Sequence, residues 1–448
     1  ILIWPSICLG EFRVNSRTTY DQTDARVAMD ASGNHLIAWS SYKQDGDSGG
    51  IFARRFDSAC REIGDEFQIN GETAGNQTDP DVAMYKTGGF VAVWHGPGIG
   101  EQDIYARRFN ADATPLAPEF RVNSLAIKKQ CYPRVAVCHT GAFVAVWQTQ
   151  DPENAEHKWT AAGRLYDANG TAVGNDFLIP RTYECRYPDV AVDVQGNFVI
   201  VWVEDRSTNS IKVGLYDSQA RPVKEAFPVN SIGFGSLTRA AVAMANDGSF
   251  VVAWDGHHQA SSMDDIRARA FGAGGEPKGE QFLVNTTIDH AQQNPRISMT
   301  EEGEFVIVWH GESSVETDER DVFARSFDAR CNPLSDEVRL NSFTPDEQKY
   351  PDVAVLLNGN YVAAWQSDGQ DGSGYGIFAT SSARICPADF NDDGFVNFKD
   401  YCILADQWLM TGDLPTVDLI DDNAIDALDL EQFCNSWLSP CQQCRMAR

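Results

Sequence analysis

A single phrase returns seven times along the chain. It reads "GNHLIAW", "GGFVAVW", "GAFVAVW", "GNFVIVW", "GSFVVAW", "GEFVIVW" and "GNYVAAW", ending at Trp39, Trp94, Trp147, Trp202, Trp254, Trp309 and Trp365. Successive tryptophans lie 55, 53, 55, 52, 55 and 56 residues apart. A fixed period of this length restricts the fold to a stack or a ring of identical units, a solenoid or a propeller. Each unit carries four strand signals. Strand A is the run typified by "DVAMY" or "RVAVC", and strand B is the "FVAVW" phrase. Strand C is typified by "IFARRFD", and strand D by "EFRVN". Strand B is apolar at consecutive positions, as a strand covered on both faces must be. The glycine six residues before each tryptophan supplies the positive φ of a tight A–B turn. Small residues in strand A (Ala28, Ala83, Ala136, Ala191, Ala243, Ser298 and Ala354) suit a crowded centre. β-Branched and aromatic content, with no 3.6 period, excludes a helical solenoid.

The count at the two ends predicts the topology. The seventh unit has strands A, B and C but no D, while "EFRVN" at 11–15 is a D strand without a blade. Residues 11–384 are therefore read as a mainly β, seven-bladed propeller of four-stranded antiparallel blades, with the N-terminal strand completing the last blade. Repeats of the form "VN…Q..P.VA…GGFVVVW…IFARRFD" resemble bacterial extracellular β-propellers. That resemblance implies a fold and a secreted or surface location more than an activity.

Composition narrows the function. A formal net charge of −28 argues against nucleic acid, whose phosphates require Lys and Arg. It suits a secreted protein, or one whose carboxylates hold cations. There is no apolar run long enough to span a membrane. Residues 1–10, "ILIWPSICLG", read either as the end of an export signal or as an ordinary lead-in. The 11 cysteines lack zinc-finger spacing. Bridges Cys131–Cys185, Cys402–Cys434 and Cys386–Cys441 are conceivable, and Cys441-x-x-Cys444 sits in the 440–448 tail.

The segment 386–439 carries two calcium-loop patterns. In "DFNDDGFVNFKD" the oxygens of Asp389, Asn391, Asp393, the Phe395 carbonyl, Asn397 and Asp400 fall at ligand spacing, and Gly394 allows the sharp bend. In "DLIDDNAIDALD" the ligands are Asp418, Asp422, the Ala424 carbonyl, Asp426 and Asp429. Ile420 removes one oxygen and Asn423 replaces the glycine, so the second loop is expected to bind more weakly. A helix is expected after each loop. Two such loop–helix repeats resemble a type I dockerin module. The resemblance implies two calcium ions and docking onto a cohesin domain of a scaffold or cell surface. In that family partner choice lies at Phe398 and Lys399 against Ala427 and Leu428. The plainer reading is a calcium-stabilised cap with no partner.

No catalytic motif is evident. The pairs Arg54–Arg55 and Arg107–Arg108 on strand C read first as stems bonded to neighbouring carbonyls. His257 and His258 form the only histidine pair, in the fifth B–C loop, with no third ligand nearby. Trp159, placed in the third B–C loop, is a candidate sugar-stacking platform on the ligand rim. Two functions remain open. One is a non-catalytic binding or structural component, recognising a glycan or protein and tethered through its C-terminal module. The alternative is a polysaccharide-degrading hydrolase or lyase. Two carboxylates, or a His–Tyr–Arg group, at the mouth of the axial channel would indicate the enzyme, and a smooth or plugged channel would indicate binding.

Overall fold

The computed structural model describes residues 10–99, 101–125, 128–150, 159–180, 183–205, 210–230, 239–257, 263–288, 290–312, 319–382, 398–408, 417 and 425–435. The chain divides into two units, the propeller and the segment from Ser382 onward. Seven four-stranded antiparallel sheets form the propeller. Blade one is Gln22–Met29, His35–Tyr42, Gly49–Phe56 and Phe67–Gln68, strands A to D in chain order. Blades two to six repeat this plan. Blade seven takes three strands from Gln348–Val355, Tyr361–Asp368 and Tyr375–Ser381, and its fourth from Phe12–Arg13. Phe12 pairs with Ala379 and Arg13 with Phe378, so the expected closure by the N-terminal strand is what the chain does.

The recurring letters map onto recurring contacts. Every B-strand tryptophan is at most 1% exposed and packs between blades. Burying such a side chain is worth several kcal/mol, and truncation to Ala typically costs about 3–5 kcal/mol. All seven A–B glycines have φ between 79° and 95°. At Gly88 a Cβ would in addition meet that of Ala111 at 3.1 Å.

In the "E-F-x-V-N" phrase the asparagine is a latch. Asn70 Oδ1 accepts the Ile51 N–H at 2.8 Å and Asn123 Oδ1 the Ile104 N–H at 2.8 Å, tying strand D to strand C. Asn15 does the same across the closure, accepting the Ile377 N–H at 2.7 Å. The phrase's acidic residue reaches the preceding blade. Glu119 accepts the Gly71 N–H at 2.6 Å, and Glu11 the Ser342 N–H at 2.7 Å. Strand C arginines donate to the carbonyl one blade back, Arg54 to Val14 at 3.0 Å and Arg107 to Ile69 at 2.9 Å. Arg55 and Arg108 donate to the Ala111 and Ala168 carbonyls of the following blade. All four are thus structural, as the carbonyl-bonding reading expected.

The second unit shows two short helices, α1 (Phe398–Asp406) and α2 (Ala427–Asn435). Each begins inside the last positions of its expected loop. Tyr401 and Phe433 bring their ring centroids to 6.2 Å between the two helices. No helix among the described residues is long and apolar enough to cross a membrane.

Candidate active site at the mouth of the axial channel

Consecutive A strands neighbour one another round the ring, so strand A is innermost and its residues line the axis. The position just before the "VA" of each A strand reads Arg26, Asp81, Arg134, Asp189, Ala241, Arg296 and Asp352 in blade order. These side chains form a belt. Arg26 lies 3.6 Å from Asp81, Arg134 4.0 Å from Asp189, and Arg296 4.0 Å from Asp352. The second carboxylate oxygen of each aspartate accepts a backbone N–H from the next blade: Asp81 from Val135 at 2.8 Å, Asp189 from Val242 at 3.0 Å, Asp352 from Val27 at 2.9 Å. Seven positions cannot alternate in sign without one conflict. Ala241, the uncharged member, sits between Asp189 and Arg296 and removes it.

The belt is held against a desolvation cost. Burial depresses the Arg134 and Arg296 pKa values, Arg296 well below the usual guanidinium range, with the other arginines adding to the effect. Burial also works against Arg26, but Asp352, Asp81 and Asp24 outweigh it and raise its pKa. Burial lifts the Asp81 carboxyl to about 6 despite Arg134 and Arg26. The far end of the channel is bridged as well. Lys86, in the A–B turn of blade two, pairs with Glu301 in that of blade six. Asn246 of blade five donates to Glu301 Oε2 at 2.9 Å. The A–B turns of blades two, five and six are thus linked to one another at that end.

Two residues before the belt, six A strands break register with a bulge. The residues there, Asp24, Asp79, Tyr132, Tyr187, Asn294 and Tyr350, all have φ between 50° and 58°. Asp and Asn tolerate this left-handed region, but three tyrosines in it are unusual, and such strain concentrates at functional sites. At four of the six bulges the preceding blade accepts the freed amide. The acceptor is the residue just after the B-strand tryptophan. Gln366 takes the Asp24 N–H at 3.2 Å and Gln148 the Tyr187 N–H at 3.1 Å. Asp255 takes the Asn294 N–H at 2.8 Å, and His310 Nδ1 the Tyr350 N–H at 3.1 Å.

These residues make the mouth. Burial, then the Asp79 charge, raises the Asp24 pKa. Burial and Asp79 also push the Tyr132 phenol up to about 12, which makes it a hydrogen-bond donor at neutral pH. Tyr132 and Tyr187 meet edge to face at 5.1 Å, and the Arg239 guanidinium lies 5.1 Å over the Tyr187 ring. His95 Nδ1 stands 3.5 Å from Asp79 Oδ2. Burial holds His95 near 4 and His310 near 3, so both are neutral above pH 5. The mouth thus brings together a pair of carboxyl groups and a His–Tyr–Arg group.

The residues singled out from sequence fall elsewhere. Trp159 is not in a loop; it is the half-buried first residue of strand C in blade three, opposite Gln150. The correction follows from the ladder, which extends a full eight residues there. His257 ends strand B of blade five, opposite Asp264, while His258 lies outside the described residues. Of the first calcium loop, Asp389, Asn391, Asp393, Phe395 and Asn397 lie outside the described residues, as do Asp418, Asp422 and Ala424 of the second. Asp400 and Asp429 are fully buried at the heads of α1 and α2. In α2, Asp426 Oδ1 accepts the Leu428 N–H at 2.8 Å and Asp429 Oδ2 the Asp426 N–H at 2.9 Å, a reciprocal capping box. Phe398, Lys399, Ala427 and Leu428 are all exposed. Cys131 and Cys402 are free thiols, so neither is bridged, and Cys386, Cys441 and Cys444 lie outside the described residues. Among the described residues no three His, Cys, Asp or Glu side chains cluster as metal ligands.

No protein-family model matches the chain, and no curated protein does. Solved structures share the fold. A Dyadobacter fermentans protein of unknown function aligns with TM-score 0.51 and 11% identity, over 84% of this chain and 98% of that one. An ulvan lyase bound to its saccharide aligns with TM-score 0.49 and 9% identity, over 83% of this chain and 94% of that one. A Hadza microbial sialidase aligns with TM-score 0.47 and 10% identity, over 82% of this chain and 66% of that one. At these identities the likeness is one of fold.

Proposed function

We propose that the protein cleaves a polysaccharide at the channel mouth. The observation carrying this reading is the convergence of Asp24 and Asp79 with His95, Tyr132, Tyr187 and Arg239 at one end of the axis. Cleavage of a glycosidic bond asks for one carboxyl group that keeps its proton and a second nearby. Asp24, raised by burial and by its neighbour, is the proton donor to the leaving oxygen, and Asp79 is the second group. Tyr132 and Tyr187 offer ring faces for a sugar to stack on. The test is product release from a polysaccharide panel by the full chain. Asp24→Asn and Asp79→Asn should each abolish it, and unchanged product from both variants would sink the reading. Non-catalytic recognition is the second reading. It is favoured by the commitment of Gln148, Asp255, His310 and Gln366 to the bulge amides, which leaves them engaged in structure.

The C-terminal unit is read as a calcium-binding, dockerin-like tether to a cohesin-type partner, on a protein that works outside the cell. Support comes from the loop patterns, from buried Asp400 and Asp429 where the twelfth ligand belongs, and from exposed Phe398 and Leu428 beside them. Hydrogen bonds within α2 already engage Asp426 and Asp429, so an ion at the second loop competes with the capping box. Titration calorimetry should show one tight and one weaker calcium site; two equally tight sites would contradict this.

A further inference from the structure

Blade five departs from the other six. Its A strand begins only at Ala240, and it supplies Ala241 in place of a belt charge. The residue entering that strand is Arg239. Its backbone N–H donates to Asp255 Oδ1 at 2.9 Å, which fixes the main chain. Its guanidinium is another matter. Among the described residues it makes no hydrogen bond and no ion pair, and its one contact is the Tyr187 face at 5.1 Å. A half-buried arginine with a free fork is uncommon in a chain of net charge −28, where carboxylates are abundant. It lies within electrostatic reach of Asp24, Tyr132 and His310, on three other blades, so its charge is felt across the mouth. Lys129 of blade three, likewise without an ion pair among the described residues, is within reach of His95. The other cations nearby are already engaged, Arg320 and Lys349 both by Glu347. Arg239 and Lys129 are thus two cations near the tyrosines of the mouth that have no ion-pair partner among the described residues.

We propose that Arg239 is the anion-recognition residue of the mouth, and that the saccharide it accepts is acidic, presenting a carboxylate or a sulfate ester to the guanidinium. This rests on the reading of the mouth as a saccharide site. The planar fork matches a two-oxygen acceptor, and its stacking on Tyr187 orders it without using its donors.

The test is calorimetric binding to the full chain of two matched pairs. One is tetragalacturonate and its methyl ester; the other is a sulfated galactan tetrasaccharide and its desulfated form. At least one acidic member should bind more tightly than its uncharged partner. Arg239→Ala should weaken that acidic ligand roughly 10- to 100-fold, and Arg239→Lys less so. Arg239→Gln, which keeps the stem, should match the alanine variant and guards against a folding defect. Binding of the carboxylate alone identifies a uronate, and of the sulfate alone a sulfate ester. The inference is overturned if uncharged partners bind as tightly, if Arg239→Ala weakens both members of a pair equally, or if neither acidic member binds. Arg239-dependent binding without product would overturn cleavage and leave this inference standing. Product from uncharged glycans alone would do the reverse.

Discussion

Two tiers of the same seven strands, two residues apart, behave in opposite ways. In the belt each arginine faces the next blade's aspartate, and each aspartate is bonded onward to a backbone amide. In the mouth the backbone is held at positive φ, carboxyl groups sit near one another, and the Arg239 guanidinium has no hydrogen bond or ion pair among the described residues. The belt pairs charge with charge from blade to blade, although Arg26 Nε and Arg134 Nε stay buried without a hydrogen-bond partner, and the mouth holds a guanidinium whose donors are still to be used. The position in the strand separates the two tiers. The belt lies where sheet register is intact, and the mouth lies where a bulge has broken it.

This contrast can be broken experimentally. The largest effect expected is on turnover. Asp24→Asn and Asp79→Asn should lower product formation by roughly 10²- to 10⁴-fold. Asn tolerates positive φ, so denaturation midpoints should barely move. Belt substitutions should do the opposite to stability. Arg134→Met strands Asp189 and the charge of Asp81, and urea unfolding should show a loss of about 3–5 kcal/mol. A belt variant that keeps full stability would mean the ion pairs are incidental.

Acid should separate the tiers by sign. His95 and His310 have folded pKa values near 4 and 3, below the ordinary 6.5, so the stability linked to them is present above pH 6.5 and lost on acidification. Each gives up roughly 2 kcal/mol between pH 6.5 and 5. Asp81, raised from 3.8 to about 6, gains stability as pH falls through 6, about 1 kcal/mol by pH 5. The histidines win. His95→Gln with His310→Gln should flatten the acid limb of the stability curve; Gln already fills the same position at Gln148 and Gln366. An unchanged limb would show that the histidines titrate normally. The smallest effect is at the belt's gap. Ala241→Asp beside Asp189 should cost about 1–3 kcal/mol, through the volume and the unpaired charge it adds to a tight site. Ala241→Ser, lacking the charge, should cost less by the same denaturation assay.

The fold was legible because each blade repeats the same physical requirements, a turn glycine, a two-faced strand B and a tryptophan, and six of the seven add the asparagine latch, which blade three replaces with Pro180. The missing seventh D strand predicted the closure by simple count. The mouth was not legible, for two reasons. Nothing in "QCYPRVAV" or "ECRYPDVAV" announces that Tyr132 and Tyr187 take positive φ, and at Tyr187 the amide is held by Gln148 of the preceding blade, far away in sequence. The belt was present as the alternation of Arg and Asp before "VA", but it has meaning only once the strands are arranged in a ring. Attention to Trp159 and to the histidine pair followed residue type alone, and strand pairing accounts for Trp159 and His257. Asp400 and Asp429 were visible from spacing, and both are buried at helix heads.

The closing strand has a consequence for synthesis. Phe12 emerges from the ribosome long before Ala379, its partner 367 residues later. At about 5–20 residues per second the interval is roughly 20–70 s. Throughout it, the first blade lacks its last neighbour, and Val14, fully buried in the finished ring, lacks Ile377 and Ala379 from its cluster. The nascent propeller is thus an open arc with two adhesive ends until its seventh blade has been made. A neighbouring copy on the same message presents the same ends, so exchange of the closing strand between chains is the characteristic error this architecture invites.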